Sequence, residues 1–381
     1  MKYSAELPPP GRFWPAALIA LAACLAFGLT LRVGFIWDDH RMIEQNPRLA
    51  VTSANLAHAF KSDLFDQGQN YYRPLQTLSN MADFAVWGYR PFGYHLTNLL
   101  FHAATAVLLF YLAAALGFRP AAAFWSAILL AAHPAAAELL LNTSGRSEVA
   151  AGACTLAALL LFLKGRPAPA FASFVAATGF KETGVIIPAL IALCLLYLKR
   201  DKKEYLKLLP FFAFIPVYLY IRHAALGMGT LSHGLTPVLS GLFLKVPQCV
   251  LVYLKETVFP FDIHSHRMQP VSQLLRFMAL PALAAAVFLI RKKGGRTLRF
   301  CAAWYLINLA PKLPLLAAND LMLDHWVYLA NAGLFLWAAD RLADLRGGLR
   351  LLPAAAAGIL ILTSAANVTR RSTDLKLYED S

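Results

Sequence analysis

The chain has 381 residues, of which 59% are hydrophobic and only 15% are charged. Soluble proteins average about 25% charged residues, so this composition excludes a water-soluble globular protein and a disordered chain. It predicts an all-α polytopic membrane protein, because a chain in lipid must satisfy its backbone hydrogen bonds internally. The net charge of +14 comes largely from basic clusters between apolar segments, such as 199–203 and 291–296. This pattern indicates the positive-inside rule and no nucleic-acid binding.

We predict about eleven transmembrane helices, because a span needs about 20 predominantly apolar residues. The predicted spans cover residues 13–36, 94–117, 121–140, 148–163, 168–180, 184–198, 208–225, 275–290, 299–316, 326–343 and 351–368. A further apolar stretch, 237–261, contains Pro247 and several charges, and we interpret it as a re-entrant or interfacial helix pair. The basic loops then place the N-terminus in the cytoplasm and the C-terminus on the exoplasmic side.

The segment 37–93 is the longest predicted exoplasmic segment, and it mixes aromatic with polar residues. This composition is typical of amphipathic helices that lie in the plane of the membrane surface. We predict a membrane domain over 1–370, which includes this segment, and an exoplasmic tail over 371–381. Most acidic residues fall on the exoplasmic side, and a carboxylate at mid-bilayer costs about 2.5–3.5 kcal/mol, so we expect the chemistry on that side.

Two groups of residues in the segment 37–93 could act on a substrate. Asp38 and Asp39 directly follow the first span, where one carboxylate could act as a base while the other holds an acceptor, a sugar hydroxyl or a cation. Alternatively, both cap the next helix or are solvated. Arg73, before Pro74, could bind a phosphate or pair with a carboxylate. Alternatively, the Arg73 side chain has no ligand and extends along the membrane surface into water.

The second span begins with three polar residues on one helical face. His95, Asn98 and His102 are spaced i, i+3 and i+7, so they share a face that must point into the helix bundle. We assign His102 to hydrogen bonding between helices. His95 lies near the exoplasmic end and could reach a substrate.

The second exoplasmic loop carries His133, Glu138 and Arg146. Either Glu138 and Arg146 form an ion pair, or Arg146 binds a phosphate, because a guanidinium contacts phosphate oxygens bidentately. Lys181 and Glu182 occupy a tight exoplasmic turn, which is either part of a site or an ordinary turn between two charges.

Other known signatures of catalytic or metal sites are absent from the sequence. The chain contains no Walker A, H-E-x-x-H or G-x-S-x-G motif, so nothing in it indicates a nucleotide, zinc or serine-hydrolase site. Its five cysteines have neither C-x-x-C nor zinc spacing. We therefore predict no disulfide and no metal site from them.

The order of the motifs is more specific than any one motif. The series runs IWDDHRMIEQNP, YYRPLQTL, GYHLTNLLFHA, HPAAAELLLNTSGRSE, KETG, YLYIRHAALG, FPFDIHSH and DHWVYLANAG. It resembles the transmembrane-and-tetratricopeptide-repeat (TMTC-type) O-mannosyltransferases and their bacterial relatives. Those proteins are similar in turn to the protein O-mannosyltransferases of the GT-C superfamily, which use polyprenyl-phosphate sugars. The likeness covers about residues 30–340.

The resemblance implies a GT-C-like bundle of about eleven helices with its active site at the exoplasmic membrane surface. The implied catalytic base lies in the acidic pair, Asp38 and Asp39. The residues implied at the donor pocket are His133, Glu138, Arg146, Lys181 and Glu182, and Arg73, His95 and Asp324 are further candidates for substrate binding. Where the family usually reads AERxLYLPSxG, this chain reads LDHWVYLANAG, so Asp324 replaces a glutamate and His325 an arginine, which leaves sugar and acceptor specificity open.

The function implied is transfer of mannose or another hexose from a polyprenyl-phosphate carrier to a hydroxyl, with inversion. We expect a protein Ser/Thr acceptor and a location in a bacterial cytoplasmic membrane. No cofactor is required, although paired carboxylates could hold a divalent metal. The alternatives are a lipid or cell-surface glycan acceptor, a membrane transporter, and a non-catalytic subunit of a glycosylation complex. The segment NVTRRSTDLKLYEDS at the end resembles the lead-in to a tetratricopeptide-repeat region, so such repeats are a candidate partner.

Overall fold

The computed structural model describes residues 14–66, 68, 70–227, 235–261, 267–268, 273–318 and 321–373. The N-terminal residues 1–13 and most of the predicted tail, 374–381, lie outside the described residues, as does most of the FPFDIHSH motif. The helices are α1 Trp14–Phe27, α2 Ser53–Ala59, α3 Pro74–Trp87, α4 Pro91–Ala115, α5 Pro120–Ala132, α6 Ala137–Leu141, α7 Arg146–Leu163, α8 Pro167–Phe180, α9 Ile187–Leu198, α10 Lys202–Leu206, α11 Leu209–Leu226, α12 Leu235–Leu244, α13 Val246–Val258, α14 Gln273–Lys293, α15 Arg296–Leu309, α16 Leu313–Ala318, α17 Tyr328–Leu342 and α18 Leu352–Arg370.

The described chain is almost entirely helical, which confirms the predicted fold class. Its remaining regular elements are short 3-10 or π-helical turns and two antiparallel strands, β1 (Arg267–Met268) and β2 (Leu321–Met322). Proline is the first residue of α3, α4, α5 and α8. A proline there needs no backbone N–H and is already set for helical φ, so it marks where these helices begin.

Several of these helices are suited to cross a membrane. Among the described residues, six helical stretches are long and apolar enough to do so. A seventh is the bent pair Pro120–Ala132 and Pro134–Leu141, whose axes differ by 49°. The chain is therefore a multi-pass membrane protein. Each of the eleven predicted spans contains a helix, but some are short: α8 has 14 residues and extends about 21 Å, less than the roughly 30 Å hydrocarbon core. The number eleven stays a prediction.

The centre of the bundle is formed by α4, which packs against α1, α5 and α7, while α17 packs against α5 and α15. Small residues line these contacts and allow close approach of the helix backbones. Buried alanines of this kind are Ala22, Ala23 and Ala26 in α1 and Ala122, Ala123 and Ala127 in α5. The apolar stretch 237–261 forms two helices, α12 and α13, and Pro247 is the second residue of α13.

The segment 37–93 folds as a compact layer against the N-terminal end of α4. It contains a π-helical turn, His40–Glu44, followed by α2 and α3. Its apolar core comprises Met42, Ile43, Leu49, Leu64 and Met81, together with Phe35 and Tyr94 from the flanking chain. This layer covers the helix ends where the predicted site residues lie.

Candidate active site

A cavity of about 300 Å³ lies where the segment 37–93 meets the loops between the central helices. It brings together five of the residues predicted from sequence. They are Asp38, Arg73, Glu138, Lys181 and Glu182. The other lining residues are Trp37, Phe65, Tyr71, Leu139, Asn142, Ser144, Gly145, Ser147, Glu148, Thr183, Pro311, Lys312, Leu315, Leu323, His325 and Trp326.

Asp38 presents a carboxylate to this cavity. Its carboxylate accepts no hydrogen bond from the described part of the chain, so its oxygens are available to a ligand. Burial raises the pKa of the Asp38 carboxyl above its usual range, and the nearby Arg41 guanidinium opposes that shift. The preceding residue, Trp37, has a φ of 51°, a left-handed conformation that is costly for a bulky side chain and is concentrated at functional sites.

Asp39 has a different environment, although it is the next residue. Its side chain is fully buried and does not line the cavity. Its carboxylate accepts hydrogen bonds from the backbone N–H of Thr143 at 2.6 Å and of Ile36 at 3.5 Å. Burial raises the pKa of Asp39 to about 7. Asp39 therefore connects the segment 37–93 to the turn Thr143–Gly145, and only Asp38 of the acidic pair faces the cavity.

Arg73 and Glu182 form a bidentate ion pair in the cavity wall. The Nε and Nη2 atoms of Arg73 donate to the Glu182 carboxylate at 3.2 and 3.1 Å. Nη1 donates to Ser147 Oγ at 3.2 Å, and the guanidinium lies 4.6 Å from the centre of the Tyr71 ring. The turn predicted at 181–182 is thus linked to α3 across the site.

Lys181 contacts Glu148, a cavity residue that we did not predict, and Glu148 in turn binds a second such residue, Lys312. Its Nζ donates to Glu148 Oε2, and Lys312 Nζ donates to Glu148 Oε1 at 3.0 Å. Lys312 also donates to the Trp326 carbonyl. A signal for Lys312 was present, because a lysine inside the predicted span 299–316 is by default a candidate functional residue. Glu148 stands within the conspicuous SGRSE sequence.

Glu138 pairs with His325, which stands where the family has an arginine. The His325 Nδ1 and Glu138 Oε2 atoms are 2.9 Å apart, and both side chains line the cavity. The neighbouring Asp324 is buried and does not line it.

Arg146 does not form the ion pair considered with Glu138. Its guanidinium is fully buried and lies outside the cavity lining. The five contacts to its N–H groups are Asn98 Oδ1 at 2.8 Å, Ser79 Oγ at 3.0 Å, Asn80 Oδ1 at 2.9 Å, the Tyr94 carbonyl at 3.0 Å and Asp83 at 2.5 Å. Four of these contacts are hydrogen bonds, and the fifth is an ion pair between Nη2 and the Asp83 carboxylate, so the guanidinium is already compensated without a phosphate.

The predicted histidines also make structural contacts. His95 Nδ1 is 3.0 Å from the Leu140 carbonyl, and His133 Nε2 is 3.2 Å from the Thr257 carbonyl. Both rings are buried, and neither lines the cavity. His102 bonds between helices as predicted, because its Nδ1 lies 2.8 Å from the Tyr328 hydroxyl.

Two glycines allow the cavity loops to pack closely. A Cβ on Gly145 would lie 2.3 Å from the carbonyl oxygen of Leu139, and one on Gly184 would lie 2.7 Å from the backbone nitrogen of Thr178. These distances are too short for any side chain at either position. Only glycine therefore fits in these two turns, one of which precedes Ser147 in α7 while the other follows Lys181.

Part of the chain is similar in sequence to proteins named as O-mannosyl-transferases. No family model matches the chain. It is 33% identical over 196 residues to protein O-mannosyl-transferase Tmtc1 of Drosophila melanogaster. That alignment covers 46% of this chain and 23% of Tmtc1. It is 32% identical over 154 residues to TMTC1 and 33% identical over 156 residues to TMTC2, both of Mus musculus, each over 39% of this chain.

The chain is similar in sequence to the TMTC-type proteins over less than half of its length. This confirms the resemblance seen in the order of the motifs. The chain spans between 16% and 23% of the length of these three relatives. Among solved structures, ArnT from Cupriavidus metallidurans, bound to undecaprenyl phosphate, aligns with 97% of this chain and 76% of its own, at a TM-score of 0.48 and 11% identity.

The described residues of this chain contain no group of three or more His, Cys, Asp or Glu side chains placed to hold a metal ion. Whether a metal takes part stays a prediction from the sequence. The cavity itself combines carboxylates with cationic side chains, and it can therefore accept a proton and stabilise an anion.

Proposed function

We propose that this chain is a glycosyltransferase that transfers a hexose from a polyprenyl-phosphate carrier to a hydroxyl group. The observation that carries the proposal is one cavity with an unbonded carboxylate, Asp38, and three cationic side chains, Arg73, Lys181 and Lys312. Transfer from a sugar phosphate needs a base for the acceptor and positive charge for the leaving group. The relation to protein O-mannosyl-transferases favours mannose as the sugar and a protein Ser or Thr as the acceptor.

Asp38 acts as the general base in this proposal. The acceptor oxygen attacks the anomeric carbon while its proton passes to the Asp38 carboxylate. The bond from the anomeric carbon to the phosphate oxygen breaks, and its electron pair stays on that oxygen. A single displacement of this kind inverts the anomeric configuration. Burial raises the pKa of Asp38, which brings the base closer to neutral pH, where general bases are most effective.

The leaving group requires charge stabilisation more than a proton. A phosphomonoester has a second pKa near 6, so it departs as an anion. Arg73 and Lys181 line the cavity, and positive groups fixed in a site that excludes water stabilise such an anion strongly. Arg146 is not assigned this role, because its guanidinium is fully buried, donates four hydrogen bonds and pairs with Asp83. No cofactor enters the reaction.

The cavity also has an apolar wall formed by Pro311, Leu315 and Leu323. Such a wall suits the first isoprene units of the carrier, since ligand sites combine apolar linings with a few placed polar groups. We infer that the cavity opens on the exoplasmic side. The loops that line it lie at the opposite ends of the predicted spans from the basic clusters at 199–203 and 291–296, which the positive-inside rule assigns to the cytoplasm.

The direct test is transfer of radiolabelled mannose from polyprenyl-phosphate mannose to Ser- and Thr-containing peptides, using the purified chain in nanodiscs. Asp38→Asn should lower turnover about 100-fold or more, the scale expected for loss of a general base. Asp66→Asn is the matched control, because Asp66 lies in the same segment, is exposed and does not line the cavity. It should retain wild-type turnover.

Other outcomes would redirect the assignment. Transfer to a glycolipid but not to peptides would keep the chemistry and change the acceptor class. Flux of a soluble solute into liposomes with no sugar transfer would identify a transporter. Wild-type turnover in Asp38→Asn would exclude the proposed base.

A further inference from the structure

One carboxylate in the cavity binds two lysines from distant parts of the chain. Glu148 lies in the first turn of α7, Lys181 in the turn after α8, and Lys312 between α15 and α16. Lys181 donates to Glu148 Oε2, and Lys312 donates to Oε1 at 3.0 Å. We call these three residues the Lys181–Glu148–Lys312 triad.

The triad carries unbalanced charge in a buried position. Its side chains are 8%, 6% and 5% exposed for Lys181, Glu148 and Lys312. Two ammonium groups share one carboxylate, so the net formal charge of these three residues is +1. Glu182 also lies near both lysines, but its charge is already balanced by Arg73. Buried charge is costly unless it is compensated. All three residues line the cavity, so an anion bound there could approach the triad and balance its charge.

The triad also keeps hydrogen-bond donors for such an anion. An ammonium has three N–H donors. Lys181 uses one on Glu148, while Lys312 uses one on Glu148 and one on the Trp326 carbonyl. Three donors therefore remain for the oxygens of one ligand, counted against the described residues.

We propose that Glu148 is a positioning residue that holds Lys181 and Lys312 as a clamp of single net positive charge on the carrier phosphate. The proposal rests on the proposed function and adds Lys312 as a phosphate ligand and Glu148 as the group that limits the clamp's charge. With one positive charge neutralised, the clamp stabilises the departing phosphate but lets the polyprenyl-phosphate product leave. Without Glu148, two adjacent ammonium groups would repel each other and retain the product.

The test varies the net charge of the triad and measures binding of radiolabelled polyprenyl phosphate in nanodiscs. Glu148→Gln raises the charge to +2 and should tighten binding about 10-fold or more, the scale of one charged hydrogen bond. Lys312→Met lowers the charge to zero and should weaken it by a similar factor. The double variant restores +1 and should bind within about 3-fold of wild type. Glu148→Gln should also lower kcat through slow release of product, with stronger product inhibition.

Opposite effects of Glu148→Gln and Lys312→Met, with recovery in the double variant, support the clamp. Equal weakening by both single variants would overturn it, because loss of a merely structural network weakens binding whichever member is removed. If Lys312→Met does not fold, Lys181→Met removes the same charge and should weaken binding by a similar factor. A wild-type protein that neither binds polyprenyl phosphate nor transfers sugar would refute the proposed function. If the wild-type protein does both, but the affinities of the variants do not follow the net charge of the triad, only the clamp is refuted.

Discussion

Substitution of Arg146 by lysine distinguishes a structural role from a ligand-binding role for this residue. Its guanidinium is completely buried, and its five N–H groups contact Asp83, Asn98 and three further acceptors. A lysine at this position keeps the positive charge but has only three donors. At least two buried acceptors would then lose their partner, and each unsatisfied group costs about 1–3 kcal/mol. We expect Arg146→Lys to lose about 2–6 kcal/mol of stability, for two such groups.

The assay is thermal unfolding of detergent-purified protein, with binding of polyprenyl phosphate measured on the folded fraction. Arg146→Lys should unfold at a clearly lower temperature, while the folded fraction keeps wild-type affinity. Arg48→Lys is the matched control, because Arg48 is 48% exposed and pairs with Asp66 at the surface. A surface pair of this kind contributes about 0–1 kcal/mol, so this control should unfold near the wild-type temperature.

The opposite pattern would refute the structural assignment of Arg146. If Arg146→Lys unfolds at the wild-type temperature and loses affinity for polyprenyl phosphate, the guanidinium must reach the ligand. A double-mutant cycle with Asp83→Asn adds a second check. The two substitutions should be strongly non-additive if the two side chains act as one buried pair.

Two further predictions concern neighbouring parts of the site. Burial raises the pKa of Asp39 from 3.8 to about 7 in the folded chain, so the folded state binds the extra proton and stability should fall as pH rises from about 4 to 7. Asp39→Asn should remove this part of the pH dependence in thermal unfolding scans, and an unchanged profile would contradict the buried position. Gly145→Ala places a methyl group 2.3 Å from the Leu139 carbonyl oxygen. It should cost about 1–3 kcal/mol and lower sugar transfer, whereas Gly358→Ala in α18, where a Cβ has open space, should leave transfer unchanged.

Composition and the order of the motifs were sufficient for the class of the protein. Low charge content and long apolar segments indicate helices in lipid, because the backbone N–H and C=O groups of a chain in a membrane must form their hydrogen bonds with each other. The order of the motifs was enough to recognise the TMTC-type relatives, and five predicted side chains do line one cavity. The local sequence is enough to find these candidate site residues, because the motifs lie in loops and at helix ends, where binding and catalytic residues are concentrated.

The orientation of individual side chains could not be read from the sequence. Asp38 and Asp39 are adjacent, yet one faces the cavity and the other is buried against Thr143. Spacing places the pair at the site but leaves open which carboxylate is exposed. The contact with Thr143 joins residues more than 100 positions apart, and tertiary packing alone creates it.

The same limit explains why Glu148 lines the cavity while Arg146, the residue predicted to do so, does not. These residues stand two positions apart in α7, which turns them about 200° from each other around the helix axis. Packing of α7 against α4 and α8 directs Arg146 toward the polar side chains of α3 and α4 and Glu148 toward Lys181 and Lys312. The sequence determined that charged residues begin this helix. Only the tertiary structure decided which of them meets the cavity, because the rotation of a helix about its axis is set by the surfaces it buries.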